Sequence, residues 1–202
     1  MTREVKFREA DLSIVLPGTW ASLPLGNDEA AEREIAALVR RQVGRDDRLA
    51  RLRRDAKEQL RGMVAAARLA GAFRVGIALE ILPGVPFPAA MILDYAPWPV
   101  PESPEQPDRA ERLRALFPSA EILELGSGTA ARTAAASVLR AGSESTADVK
   151  LQYWLPTREG DRLLHITVDA PTGGNTELYT DLFDAIVDSI RWFDVPDSSA
   201  SA

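Results

Sequence analysis

The chain has 202 residues and a formal net charge of -6; 46% of its residues are hydrophobic and 27% are charged. This is the size of one ordinary domain, so we expect residues 1–193 to form a single domain with a sizeable core. The absence of cysteine excludes disulfides, thiol nucleophiles and thiolate metal sites. Residues 1–10 are charged throughout and no run of about 18 apolar residues follows, so we expect a cytoplasmic protein without a membrane span.

The N-terminal third predicts a strand followed by helix. Leu12 to Leu16 is a short apolar run typical of a strand. From Asp28 to Val43 apolar residues recur at helical spacing, with Asn27 or Asp28 as the cap. Gly44 interrupts this pattern, which then resumes and ends near Gly71. The pattern fits either two helices or one long helix kinked at Gly44.

Basic residues are concentrated between Arg40 and Arg68. This stretch contains ten basic and four acidic residues, a local charge of +6 on an otherwise acidic chain. A basic helical region of this kind can contact an acidic partner, or the acidic face of a second copy. We therefore select Arg48, Arg51 and Arg54 as candidate partner-binding residues. The simpler interpretation is a solvated outer face opposite an apolar stripe.

The middle of the chain predicts a meander of strands. Phe73 to Ile81 alternates strictly between apolar residues and others, which indicates a strand. Pro88 to Tyr95 predicts a further strand at an edge or a sheet entrance. Five prolines punctuate the stretch from Pro97 to Pro107, which also contains Trp98. They favour polyproline II and predict a surface crossover, with a recognition motif as the alternative.

Short elements follow the proline-rich stretch. Residues 108–116 predict a short helix, and 121–125 a strand. A tight turn at Gly126 to Gly128 leads into a strand over 129–139, whose many alanines suggest close packing on that face. Residues 141–146 predict a polar loop.

The C-terminal region predicts a hairpin and a capped helix. Val149 to Leu155 and Leu163 to Asp169 are period-two strands joined by a polar turn. Asn175 can cap the helix that follows. One apolar stripe on this helix is expected to pack on the hairpin; it comprises Leu178, Leu182, Phe183, Ile186, Val187 and Ile190. We expect residues 194–202 to be a disordered tail.

Polar residues in this sequence form no recognisable catalytic pattern. His165 is the only histidine, and without cysteine or a patterned carboxylate it indicates neither a zinc site nor a triad, so we assign it a structural or exposed role. Asp181, Asp184 and Asp188 share a helical face that we interpret as solvated. We therefore predict no catalytic, cofactor-binding or metal-binding residue, and no enzyme activity.

Two of the four tryptophans complete the set of candidate contact residues. Trp154 points away from the apolar face of its strand, and Trp98 lies among the prolines. Partly exposed, these rings would form a binding surface, because tryptophan is enriched in contact hot spots. The alternative is that helices cover both faces of the sheet and bury them.

The two ends of the chain resemble a known family. A strand ending in Leu16, Pro17 and Gly18 with Trp20 after it, and a final helix running from Tyr179 to Trp192, are similar to the PsbP-like superfamily. That group includes an extrinsic photosystem II protein, a Ran-binding nuclear import factor and many small bacterial proteins. The resemblance implies an α+β fold, a mainly antiparallel sheet between helical layers (an α/β/α sandwich), with a binding or assembly role in a bacterial member. The long basic helical segment departs from the compact form of the family, so no functional residue is carried over.

Three functions remain in view. The first is a non-enzymatic protein-binding or adaptor domain that contacts another protein through the basic helices or a sheet face. The second is a small-ligand or lipid-binding domain with a pocket between sheet and helix, lined by residues 129–139 and the tryptophans. Nucleic acid is the weakest candidate, because the whole chain is acidic and aromatic residues are not interleaved with the basic ones.

Overall fold

The structure is a computed structural model that describes residues 2–7, 12–44, 46–82, 84–87, 89–99, 108–141, 144–172 and 175–193. The later part of the predicted proline crossover and the predicted tail, residues 194–202, lie outside the described residues. Eleven strands and four helices are assigned there: β1 Thr2–Phe7, β2 Leu12–Pro17, β3 Thr19–Pro24, α1 Asp28–Val43, α2 Ala50–Leu69, β4 Arg74–Leu82, β5 Val85–Pro86, β6 Ala90–Pro97, α3 Arg109–Leu116, β7 Glu121–Leu125, β8 Gly128–Ala141, β9 Glu144–Pro156, β10 Arg162–Pro171, α4 Thr176–Asp188 and β11 Arg191–Trp192.

The strands form two antiparallel sheets. The larger follows the order β3-β4-β6-β10-β9-β8-β7, with β5 paired to β4, and the smaller follows β1-β2-β11. The chain passes from the smaller sheet to the larger one through Gly18, whose φ is +74°. A Cβ atom there would lie 1.9 Å from the carbonyl oxygen of Glu80. Both the positive φ and the close approach require glycine at this junction.

Helices cover both faces of the larger sheet. On one face, α4 packs over β9 and β8 through Phe183, Ile186 and Val187. On the other face, α1 and α2 cover the β3-β4 end through a core that includes Ile35 and Val64, while α3 covers the strands at the opposite end. The predicted fold class is confirmed: an α+β arrangement of mainly antiparallel sheet between helical layers.

The chain forms two helices, α1 and α2, and not one long helix kinked at Gly44. Gly44 has φ +86° and a short 3₁₀ turn, Asp47–Leu49, separates α1 from α2. The Asn27 side chain accepts a hydrogen bond from the amide of Ala30 at 2.9 Å, which confirms it as the cap of α1. A helix cannot continue through a residue at positive φ, so the chain turns back there and α2 runs against α1.

Several predicted elements are confirmed and others are wrong. The C-terminal hairpin and the helix capped by Asn175 are present. The predicted loop at 141–146 is wrong, because β8 continues to Ala141 and β9 already begins at Glu144. The strand β6 is not at an edge, since it pairs with both β4 and β10. Strands β1 and β3 had not been predicted.

The buried stripe of α4 begins one residue later than predicted. Leu178 is 59% exposed, whereas Phe183 and Val187 are fully buried. Contacts with the core begin at Tyr179, which shares a helix face with Phe183 and Ile186, whereas Leu178 is turned about 100° away from it. No helix in the described part of the chain is long and apolar enough to cross a membrane.

Candidate binding surface

The basic residues of the helical hairpin fall into two groups according to their distance from the sheet. Near the sheet, Arg61 pairs with Glu32 through two hydrogen bonds, and this contact lowers the pKa of the Glu32 carboxyl. Arg68 pairs with Asp28 and donates to the carbonyl of Leu25 at 2.8 Å. These arginines tie α2 to α1 and to the end of β3, so their role is structural.

The second group surrounds the connection between the helices; we call it the basic tip, comprising Arg40, Arg48, Arg51, Arg53, Arg54 and Lys57. Within the described residues Arg40, Arg48 and Arg54 are exposed and have no ion pair. Arg51 lies 3.9 Å from Asp55, in a pair whose side chains are 87% and 53% exposed. Exposed pairs of this kind contribute little to stability. The charge of the basic tip is thus available to a partner.

Arg53 fixes the shape of the basic tip. Its Nη1 donates to the carbonyl of Asp46 at 2.6 Å and to that of Gly44 at 3.3 Å. The Asp46 side chain in turn accepts from the amide of Arg48 at 2.9 Å. These bonds tie Gly44 and Asp46 to α2, beside the neighbouring arginines.

Two adjoining grooves run along the basic tip. One, of about 240 Å³, lies between α1 and α2 and is lined by Arg40, Arg53 and Lys57 with three uncharged residues. The other, of about 260 Å³, shares Arg53 and Lys57 and adds Arg54 and Arg61. No carboxylate lines either groove, which makes both suited to acidic side chains.

The three arginines predicted from sequence lie together on this surface. Arg48, Arg51 and Arg54 are spaced three residues apart, which places neighbours on one side of the helix start. Beside them Leu49 and Leu52 are 36% and 55% exposed. Arginine and exposed leucine side chains therefore lie side by side here, and arginine is enriched in protein interfaces.

The two predicted tryptophans lie elsewhere, against α3. Trp98 is 3% exposed, and the guanidinium of Arg112 covers its ring at 3.9 Å. The Trp154 ring is stacked between Phe117, at 4.2 Å, and His165, at 5.1 Å. Partial exposure of both rings was the condition for a tryptophan surface, and Trp98 does not meet it because a helix covers it. Trp98 matches the alternative that helices bury these rings, whereas Trp154 is only partly buried.

The only histidine has a carboxylate partner that sequence patterns did not reveal. His165 on β10 is paired in register with Asp94 on β6, and Nδ1 lies 3.1 Å from both oxygens of that carboxylate. Its Nε2 lies 3.4 Å from the Thr167 hydroxyl and 3.5 Å from the Gln152 amide nitrogen. Each ring nitrogen thus has a neighbour on the sheet. The arrangement supports a structural role on this face.

A second polar cluster anchors α4 to the sheet. The Tyr153 hydroxyl donates to Asp184 at 2.7 Å, and Arg132 pairs with both Asp184 and Glu121. Burial raises the pKa of the Asp184 carboxyl, whose side chain is 23% exposed. The sequence interpretation of Asp184 as part of a solvated face is therefore wrong. The Asp184 carboxylate faces the sheet because it forms an ion pair there with the partly buried Arg132 of β8.

Metal-binding groups are not gathered in the part of the chain that the structure describes. No group of three or more histidine and carboxylate side chains lies within reach of one ion there.

Comparison with known proteins gives structural likenesses only. No family model and no curated protein is similar to this sequence. Among solved structures, a point mutant of the protein Mog1 has a TM-score of 0.46 and 9% identity, with 96% of this chain and 97% of that chain covered. The Ran-binding protein Mog1p of Saccharomyces cerevisiae has a TM-score of 0.45 and 12% identity, with 96% of each chain covered. At these scores neither likeness bears on function.

Proposed function

We propose that this chain is a non-enzymatic protein-binding domain of the bacterial cytoplasm, and that its basic tip contacts an acidic surface on a partner protein. The observation that carries this proposal is the pair of carboxylate-free grooves beside three exposed arginines. Residues 1–193 act in it as one domain.

A protein fits this surface better than a nucleic acid. Leu49 and Leu52 are exposed between the arginines and would be desolvated against an apolar group of a partner. The basic tip carries no aromatic ring on which a base could stack. The rest of the chain is acidic and would repel a phosphate backbone.

The test is a pull-down of the native protein from its own cell lysate at low and at high salt, with protein and nucleic acid identified in each eluate. The proposal predicts one stoichiometric protein that is retained at low salt and weakened at high salt, because exposed charge pairs are screened. Retention of nucleic acid alone would contradict it. So would a partner whose retention does not change with salt.

A second copy of the same chain is the alternative partner. Its acidic surface would then meet the basic tip, and the apparent mass in sedimentation would rise with concentration and fall with salt. A monomer at all concentrations excludes this form of the proposal.

A further inference from the structure

A cleft with both polar and apolar side chains in its lining opens between the β1-β2 hairpin and α1, away from the basic tip. Its volume is about 340 Å³, and an adjoining space of about 690 Å³ shares five of its lining residues. These sizes fall in the range of small-molecule sites, about 300–1,000 Å³. The pocket expected along residues 129–139 is a different place, because the cleft is lined by β1, β2, β3 and α1.

The cleft changes from charged to apolar with depth. On β1, Arg3 is exposed, Val5 is partly buried and Phe7 is 3% exposed. Because strand residues two apart share a face, these three side chains line one wall in that order. The antiparallel partner of Arg3 is Leu16, which also lines the cleft. Met91 and Leu93, both almost fully buried, form the floor.

Contacts behind the walls hold them in place. Trp20 donates its Nε1 proton to the carbonyl of Pro17 at 2.8 Å, and its ring lies against Gly76. The Arg74 guanidinium lies 5.2 Å from the centre of the Phe7 ring and donates to the Ser22 hydroxyl. The cleft is therefore largely formed before any ligand arrives.

The rim of the cleft is mainly cationic. Arg3 and Arg41 are exposed at its mouth, and neither has an ion pair within the described ranges. Glu34 is the one carboxylate among the lining residues. Two guanidinium groups beside the partly exposed apolar side chains of Val5 and Trp20 fit a ligand with a carboxylate at one end and a hydrocarbon chain at the other.

We propose that this cleft binds a free fatty-acid carboxylate, with the chain against the partly exposed Val5 and Trp20 and the head group between Arg3 and Arg41. Binding would be independent of the protein contact proposed above, because the cleft shares no residue with the basic tip. The interior offers apolar side chains for the hydrocarbon, and the rim supplies charge that a neutral alcohol could not use.

The test is a titration of the full chain with sodium decanoate, followed by calorimetry and by the amide spectrum of the ¹⁵N-labelled protein. We expect saturable one-to-one binding with shifts at residues of β1, β3 and α1. Ala37→Phe places a ring at the mouth of the cleft and should weaken binding at least tenfold. Ala66→Phe, at an exposed site on α2, is the matched control and should bind as the native chain does. Equal binding by Ala37→Phe would overturn the proposal.

The charged rim has its own test. Arg3→Gln with Arg41→Gln should weaken decanoate at least fivefold and leave the weaker binding of 1-decanol unchanged. Equal affinity of the native chain for both compounds would contradict the head-group assignment. Sedimentation with phosphatidylglycerol vesicles distinguishes a membrane surface: binding to vesicles without one-to-one binding of decanoate would also overturn the proposal.

Discussion

His165 and Asp94 face each other across β10 and β6, with Nδ1 of the ring 3.1 Å from both carboxylate oxygens. The two side chains are only 17% and 18% exposed. Removing either one leaves a half-buried polar group without its partner, which typically costs about 1–3 kcal/mol.

A double-mutant cycle tests this relationship. We expect Asp94→Ala and His165→Ala each to lower the free energy of unfolding by about 1–3 kcal/mol in urea titrations. The double variant should lose about 0.5–3 kcal/mol less than the sum of the two, because the second change removes a partner that is already lost. Strictly additive losses would show that the pair does not interact.

Asp184 predicts a specific dependence of stability on pH. Burial raises its pKa in the folded chain, so the folded state holds a proton that the unfolded state, with a carboxyl pKa of about 3.9, releases. At pH values between the unfolded-state pKa and the raised folded-state pKa of Asp184, its contribution to the free energy of unfolding increases as the pH falls. The difference in stability between the native chain and Asp184→Asn should therefore shift in favour of the native chain on acidification. A difference that is flat, or that shifts the other way, contradicts this assignment.

The cost of replacing glycine by alanine can be compared at Gly18 and Gly44. Both have positive φ, but a Cβ atom at Gly18 would strike the Glu80 carbonyl, whereas nothing described lies within 4 Å at Gly44. We expect Gly44→Ala to cost about 1–3 kcal/mol from the backbone alone, because φ +86° with ψ −171° is a region essentially confined to glycine. Gly18→Ala should cost clearly more or prevent folding, as measured by thermal unfolding. Similar costs at both sites would contradict the close junction between the two sheets.

Substitution of Trp98 should lower stability far more than substitution of Arg48, because Trp98 is buried and Arg48 is exposed. Trp98→Ala removes a buried ring packed with Leu113 and should cost about 3–5 kcal/mol of stability. Arg48→Ala should change stability by less than about 0.5 kcal/mol, because its side chain is exposed. Chemical denaturation of both variants checks this. A large loss for Arg48→Ala would mean that the basic tip serves the fold.

Local patterns explain which parts of the fold could be predicted. The alternation in Val149 to Leu155 and the cap at Asn175 depend on neighbouring residues, so the sequence alone revealed them. The strand β1 also alternates, but its charges concealed the apolar face formed by Val5 and Phe7. The sequence alone could not decide between one kinked helix and two helices at Gly44, because helical spacing continues on both sides of it.

The candidate sites depended on long-range pairing and could be predicted only in part. Arg48, Arg51 and Arg54 lie close together in sequence, so their clustering on one helix was visible. The Asp94–His165 contact requires the register of β6 against β10, which no local pattern contains. The cleft likewise combines β1 with α1 and β6, whose packing emerges only in the folded chain.

The central claim is that the basic tip contacts a protein partner through charge. The most direct measurement compares retention of the co-purifying protein by the native chain, by Arg48→Glu/Arg51→Glu/Arg54→Glu, and by Arg33→Glu/Arg109→Glu/Arg114→Glu, a matched reversal of three exposed arginines elsewhere. The account predicts that the first triple variant loses the partner while the second retains it, with both folded by circular dichroism. Retention by the first variant, or equal loss from both, would contradict it.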